Sequence, residues 1–156
     1  MDSYNSTLKF SNEEAAYLAG LIDGEGTVTL NQRDKQRQRT IVISIANTER
    51  QLLDYAKTVI GVGSISSKRV MNPNHTPSFS YQVSGRQALA VLEQICPYLK
   101  SYKKERAELL LKDYIKVTPR NGAYTTEMLE LRSEFIKAFF EIQPNKNNPR
   151  KQVIFK

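Results

Sequence analysis

The sequence predicts an α+β fold in the order helix, two strands, helix, two strands, helix, followed by two further helices. Three observations predict it. Apolar residues switch twice between helical spacing and strict alternation before Ile95. Capping-box pairs, a Ser or Thr with Glu or Gln three residues on, precede three of the helical stretches. Clusters of Gly, Pro and Asn punctuate the stretches between them.

Ser11 with Glu14 opens the first helix, which is expected to run through about Ile22 and to stop at "GEG". Its face of very small side chains includes Ala16, Ala19 and Gly20. A mid-helix glycine costs about 1 kcal/mol relative to alanine, which is recovered if another backbone packs closely there. From Thr27 the period becomes two. Val28 and Leu30 alternate with Thr27, Thr29, Asn31 and Arg33. After a charged turn, Ile41, Ile43 and Ile45 alternate with Thr40, Val42, Ser44 and Ala46. This reads as a hairpin with one apolar and one polar face.

Thr48 with Gln51 predicts a second capping box and a helix burying Leu52, Leu53, Ala56, Val59 and Ile60, ended by "GVG". A second hairpin follows, with Ile65 in one strand and Phe79, Tyr81 and Val83 in the other, around the turn-rich "VMNPNHTP". Ser84 with Gln87 predicts a third box before Ala88, Leu89, Val91, Leu92 and Ile95. The recurrence reads as a weak internal duplication. Two more helices are expected, at about 101–116 and 126–141, the first burying Leu109, Leu110, Leu111, Tyr114 and Ile115, the second Leu129, Phe135, Ile136, Phe139 and Phe140. A single domain over 1–142 and a mobile basic tail over 143–156 complete the expectation.

The 156 residues and 40% hydrophobic content suit one domain with a proper core. No apolar run approaches the roughly 20 residues that span a bilayer, and the N-terminus lacks a signal-peptide layout. The single cysteine, Cys96, excludes an internal disulfide and any cysteine-rich zinc site, and is expected to pack as a small hydrophobe. An intracellular, reducing location in a bacterial, phage or organellar compartment is expected. The net charge of +7 sits in "RDKQRQR" (Arg33 to Arg39) and in the tail from Gln143, which together account for all of it. Clustered positive charge favours a nucleic-acid partner.

The inventory excludes several chemistries. One histidine, His75, in an Asn- and Pro-rich turn, is too few for histidine-dependent nuclease or zinc deaminase sites. No acid is followed two positions later by lysine, and no glycine–lysine phosphate loop occurs, so no nucleotide cofactor is expected. "DGEG" remains, with Asp23 and Glu25 at a helix C-terminus that already carries partial negative charge. An EF-hand loop starting at Asp23 fails, because glycine is needed where Val28 stands. Either these are surface acids at a glycine stop, or a divalent cation offsets them, since carboxylate, carbonyl and water oxygens suit Mg²⁺.

"YLAGLIDGEGTV" (Tyr17 to Val28) resembles the signature of the LAGLIDADG homing endonucleases, with "LAGLID" matched letter for letter and Glu25 as the second acid. The resemblance extends over about Glu13 to Ile115, through "IANTERQLL" and "PYLKSYKKERAELLL", and the element order is that family's αββαββα core. It implies an antiparallel sheet shaped as a DNA-binding saddle. One motif per chain implies a homodimer, with Ala16, Ala19, Gly20 and Asp23 at the helix–helix interface and Asp23 preferably in a helix-end structural role.

The resemblance also implies a Mg²⁺-dependent, site-specific endonuclease cutting a long, near-palindromic duplex, serving intron or intein homing. Mn²⁺ is an alternative metal, and Ca²⁺ is expected to support binding without cleavage. Glu25 would be the metal carboxylate, with the Gly24 carbonyl; Asn47 would position water, and Lys103 would lie near the scissile phosphate. Arg50 is a further catalytic candidate, while Lys100 and Lys104 compete with Lys103. Thr27, Thr29, Asn31, Arg33, Gln38, Thr40, Ser44, Ser66, Lys68, Ser80 and Gln82 would face bases, and Arg37, Arg39, Arg69 and the tail would meet phosphates. The competing reading is a non-cleaving DNA- or RNA-binding relative, an intron maturase or a transcriptional regulator.

Overall fold

The computed structural model describes residues 6–144. Its elements are α1 (Asn12–Glu25), β1 (Gly26–Asn31), β2 (Thr40–Asn47), α2 (Arg50–Ile60), β3 (Ser64–Ser67), β4 (Phe79–Ser84), α3 (Gly85–Ile95), α4 (Tyr102–Asp113) and α5 (Thr126–Glu141). Single 3₁₀ turns follow α3 (Cys96–Tyr98) and α4 (Ile115–Val117). The expected basic tail, from residue 145 onward, lies outside the described residues.

Both hairpins form, and one antiparallel sheet joins them in the order β1-β2-β4-β3. Two αββ units thus meet at the central β2–β4 pair, where Ile43 faces Val83 and Ile45 faces Tyr81. Alternation decides which face is covered. Val28, Leu30, Ile41, Ile43, Ile45, Tyr81 and Val83 point to one side and are buried there. The first three helices pack on the strands, and α4 packs on α3 and β1. Full burial of each isoleucine contributes about 1.5–3 kcal/mol. Cys96 is buried in this core, as expected.

The first capping box is present: Ser11 Oγ accepts from Glu14 N–H at 3.1 Å, and Ser11 N–H donates to the Glu14 carboxylate at 2.9 Å. The other two are not. Asn47 Oδ1 accepts the Glu49 N–H at 2.8 Å, so a local Asn turn leads into α2, which begins one residue later with no side-chain cap. Ser84 is still paired to Val42 in the sheet, and Gly85 turns the chain at φ +65°. The Ser84 hydroxyl therefore makes no cap.

The α1 helix also runs further than expected. Gly26 N–H donates to the Ile22 carbonyl, carrying the helix through Gly24 to Glu25. At the other end of the chain α4 stops at Asp113, and Ile115 and Leu129, both expected to be buried, are 54% and 42% exposed. The α5 stripe that faces inward is instead Arg132, Phe135 and Phe139. Among the described residues, no helix is long and apolar enough to cross a membrane.

Candidate active site and nucleic-acid interface

Glu25 is the last residue of α1, with its side chain exposed, and Gly26 begins β1. The turn between them is tight. A Cβ on Gly26 would lie 2.8 Å from the Ile22 Cα and 2.9 Å from its carbonyl oxygen, so only glycine fits. Gly24 faces open space.

The Asp23 carboxylate and the Ile22 and Asp23 carbonyls of this helix end are met inside the chain by the start of α4 and the two residues before it. The Asp23 carboxylate accepts from the Lys100 N–H (2.8 Å), the Ser101 N–H (3.2 Å) and the Ser101 hydroxyl. In return, the Lys103 ammonium donates to the Ile22 carbonyl at 2.7 Å and the Asp23 carbonyl at 2.9 Å. The α1 C-terminus and the α4 N-terminus therefore cap each other, an anion meeting the positive end of one dipole and a cation the negative end of the other. Burial alone would raise the Asp23 carboxyl, but the Ser101 hydroxyl, the two backbone amides and the nearby Lys103 charge outweigh it and hold it below its ordinary range. Burial pushes the Lys103 ammonium down, opposed by Asp23, reinforced by Arg106 and opposed again by Glu25.

Lys103 is buried against the end of α1. Asp23 takes the helix-end structural role preferred for it, bonded within its own chain. Lys100 is exposed, and Lys104 is half-buried in the first turn of α4.

Asn47 ends β2 just beyond the Gly26–Ile45 pair, beside the end of α1, with Phe79 as its partner on β4. Arg50 stacks over that Phe79 ring at 5.3 Å and approaches Asp54 at 3.6 Å. The structure thus gathers Gly24, Glu25 and Lys103 at the end of α1, with Asn47 and Arg50 together at the adjoining end of the sheet. Along α1, Ala16, Gly20 and Gly24 are exposed four residues apart on an outward stripe beside Tyr17. Ala19 is fully buried, because it shares the inward stripe with Ala15 and Ile22. Its expected place at an interface is corrected accordingly.

The sheet face that the helices leave open carries rows of small polar side chains. Thr27 pairs with Ser44 and Ser44 with Gln82; Asn31 pairs with Thr40, and Ser66 with Ser80. Beyond them lies a groove of about 350 Å³, lined by Asn31, Arg33, Arg37, Gln38, Thr40, Val42, Gln82 and Ser84. Thr29 is half-buried on the same face, and Lys68 and Arg69 are exposed after β3. Arg39 also serves the fold. Its guanidinium donates to the Leu30 carbonyl at 3.0 Å and stacks over Phe140 at 5.0 Å, so the fold itself employs it.

Sequence reasoning missed Arg106 and Arg132. Arg106 donates to the Val28 carbonyl (2.9 Å) and the Ile142 carbonyl (2.9 Å), between the rings of Tyr102 and Phe139. Arg132 is 1% exposed. Both stand on apolar stripes of their helices, with Ala107 and Leu110 or with Phe135 and Phe139. That position was the available signal.

A model of the LAGLIDADG-like domain matches residues 12–96. No curated protein matches significantly. Among solved structures, the homing endonuclease I-CvuI in complex with its target superposes with a TM-score of 0.68 at 22% identity, over 87% of this chain and 85% of that one. I-GzeII in complex with a DNA target gives 0.62 at 17%, over 84% and 44%. The archaeal intron-encoded I-Vdi141I complexed with DNA gives 0.58 at 15%, over 86% of each chain. With its signature helix, its paired αββ units and more than half its length matched, the chain belongs to the LAGLIDADG-like domain family and has the LAGLIDADG homing endonuclease fold.

Proposed function

We propose that this chain is a divalent-metal-dependent, site-specific endonuclease acting on double-stranded DNA as a homodimer. One observation carries the reading. Glu25 is an exposed carboxylate at a helix end where the Asp23 carboxylate and the Ile22 and Asp23 carbonyls are already bonded by residues 100–103, and it stands beside a polar sheet bordered by arginines. A charge left over in that way is free to bind something from outside.

The donors fit a hard cation: a carboxylate from Glu25 and a carbonyl from Gly24. Among the described residues, no group of three or more His, Cys, Asp and Glu stands close enough to hold a metal alone. Glu25 and the Gly24 carbonyl would hold the ion from this chain, and a second copy, water and phosphate oxygens would supply the rest. Mg²⁺ bound there supplies water activation and stabilisation of the leaving oxygen. I-CvuI was crystallised on DNA in the presence of Ca and, with the DNA not cleaved, in the presence of Mg, which supports divalent-metal use.

Within the chain, Lys103 fixes the carbonyls on which the Glu25 turn is built and adds positive charge beside it. Asn47 and Arg50 offer an amide and a guanidinium at the adjoining end of the sheet. Thr, Ser, Asn and Gln on the open face, with Arg33 and Lys68, can hydrogen-bond to base edges in a major groove, while Arg37 and Arg69 suit phosphates. Two outward Ala16–Gly20–Gly24 stripes would allow close approach of two copies about a twofold axis, giving a near-palindromic target. Intron or intein homing is the outcome such cleavage serves.

Selection on a randomised palindromic duplex library, run with Mg²⁺ and again with Ca²⁺, tests the reading. Cutting of a defined sequence with Mg²⁺ and binding alone with Ca²⁺ are expected. Tight specific binding without cutting in Mg²⁺ would move the protein to the non-cleaving relatives. Glu25→Gln is expected to bind the selected site and leave it intact; full activity in that variant means another carboxylate serves.

A further inference from the structure

Arg132 lies in α5, beyond the stretch matched to the family, yet it is tied to the loop between β1 and β2. Its Nε donates to Gln38 Oε1 at 3.2 Å, and one terminal nitrogen donates to the Arg39 carbonyl. The other donates to the Val117 carbonyl at 2.8 Å and the Thr118 hydroxyl at 2.7 Å. The rings of Tyr114 and Tyr124 flank it at 5.8 and 5.5 Å. A guanidinium buried this fully, with each nitrogen bonded, fixes the orientation of every group it touches. Here two of those groups belong to the root of a loop that borders the open sheet face.

The loop is also braced elsewhere. Asp34 Oδ1 accepts the Gln36 N–H at 2.9 Å, and Gln32 donates to the Arg37 carbonyl at 2.9 Å. Arg39 reaches back to Leu30 and Phe140. Left to themselves, eight polar residues between two strand ends, seven of them exposed, would sample many conformations. Instead the loop starts from a fixed base, and the groove walls supplied by Arg33, Arg37 and Gln38 stand in place before any ligand arrives. Such preorganisation lowers the ordering cost of binding and sharpens discrimination between ligands.

We infer that Arg132 is a positioning residue for DNA sequence discrimination, acting through Gln38 and Arg39 to preset the β1–β2 loop. This rests on the DNA reading given above. Arg132 touches no base itself. Its effect falls on the base pairs the loop covers and on no others.

Two variants of the full chain test it. Arg132→Lys keeps the charge and loses the fork; Thr118→Val removes one acceptor from behind the arginine, away from the sheet. Sequence preference is read by binding selection from a randomised duplex-DNA library in Ca²⁺, well below each variant's melting temperature. Both variants are expected to lose discrimination at the outer positions under the loop, by about tenfold for Arg132→Lys and less for Thr118→Val, with central positions unchanged. Hydrogen exchange at the Gln36 and Arg37 amides, measured without DNA, is expected to quicken in both. A uniform loss over all positions, or an unchanged profile, overturns the inference, as does unchanged exchange in Thr118→Val should Arg132→Lys fail to fold. A wild-type chain that enriches no sequence overturns the DNA reading and this inference together. A sharp wild-type profile shared by the variants overturns this inference alone.

Discussion

Replacing Lys103 with methionine tests whether an internal cation holds the end of α1. Methionine keeps most of the side-chain volume but removes the donor at 2.9 Å from the Asp23 carbonyl, while the Ile22 carbonyl, bonded at 2.7 Å, keeps the Gly26 N–H. Each buried acceptor left unmet costs about 1–3 kcal/mol. The ammonium's own desolvation is relieved at the same time, which offsets part of the loss. The expected net destabilisation is about 1–3 kcal/mol, or a fall of roughly 3–10 °C in Tm for a domain of this size. Urea and thermal unfolding followed by circular dichroism measure it, with Lys112→Met, an exposed position on the same helix, as the control. Surface changes of that kind stay within about 0.5 kcal/mol. If Lys103→Met also stays within that margin, the ammonium does not hold the helix end and the mutual capping is wrong as an energetic account.

Asp23→Asn retains an acceptor for α4 but loses the charge, and should cost about 0.5–2 kcal/mol at neutral pH, the range for a helix cap. Because the folded carboxyl lies below its ordinary 3.8, its stabilisation is complete above that value and is lost as pH falls through the folded pKa. The variant should therefore show a shallower acid limb in pH-dependent unfolding. Tyr81 behaves in the opposite sense. Burial raises its phenol, whose O–H donates to the Val62 carbonyl at 2.7 Å, so stability falls as pH rises beyond its ordinary value of 10.0 because the unfolded chain ionises first. Tyr81→Phe should cost about 1 kcal/mol at neutral pH and flatten the alkaline limb; an unchanged limb assigns it to other groups. Gly20→Leu adds bulk where a Cβ meets nothing within 4 Å. The variant should melt no lower than wild type as a monomer yet sediment as a monomer, whereas an intact dimer places the interface elsewhere.

The element order was legible because the strand period is unambiguous: Ile41, Ile43 and Ile45 admit one face only, and they are all fully buried. Helix ends were less legible. Whether "DGEG" ends the helix at Ile22 or at Glu25 depends on the Gly26 amide reaching the Ile22 carbonyl, and nothing local to Gly24 reveals that. The apparent capping boxes at Thr48 and Ser84 were overruled by an Asn turn and by strand pairing, both local alternatives that compete for the same groups. Lys103 was identified as a candidate, but its direction was not. Its partners are main-chain oxygens about 80 positions away, and carbonyls leave no trace in a residue pattern. Arg39 and Arg132 share that obscurity, since their acceptors include backbone atoms distant in sequence.

The three buried cations, Lys103, Arg106 and Arg132, draw their main-chain partners from neutral dipoles, while the ion pairs among the described residues, Arg37–Asp34, Arg50–Asp54 and Lys116–Asp113, lie at the surface. Mobile ions screen exposed charges within about 8–10 Å but barely reach enclosed ones. Ionic strength can therefore be used as a release signal. A polyanion resting on the open face would be shed as salt rises, while the fastenings of the scaffold beneath it stay shut, so grip and rigidity answer to separate controls.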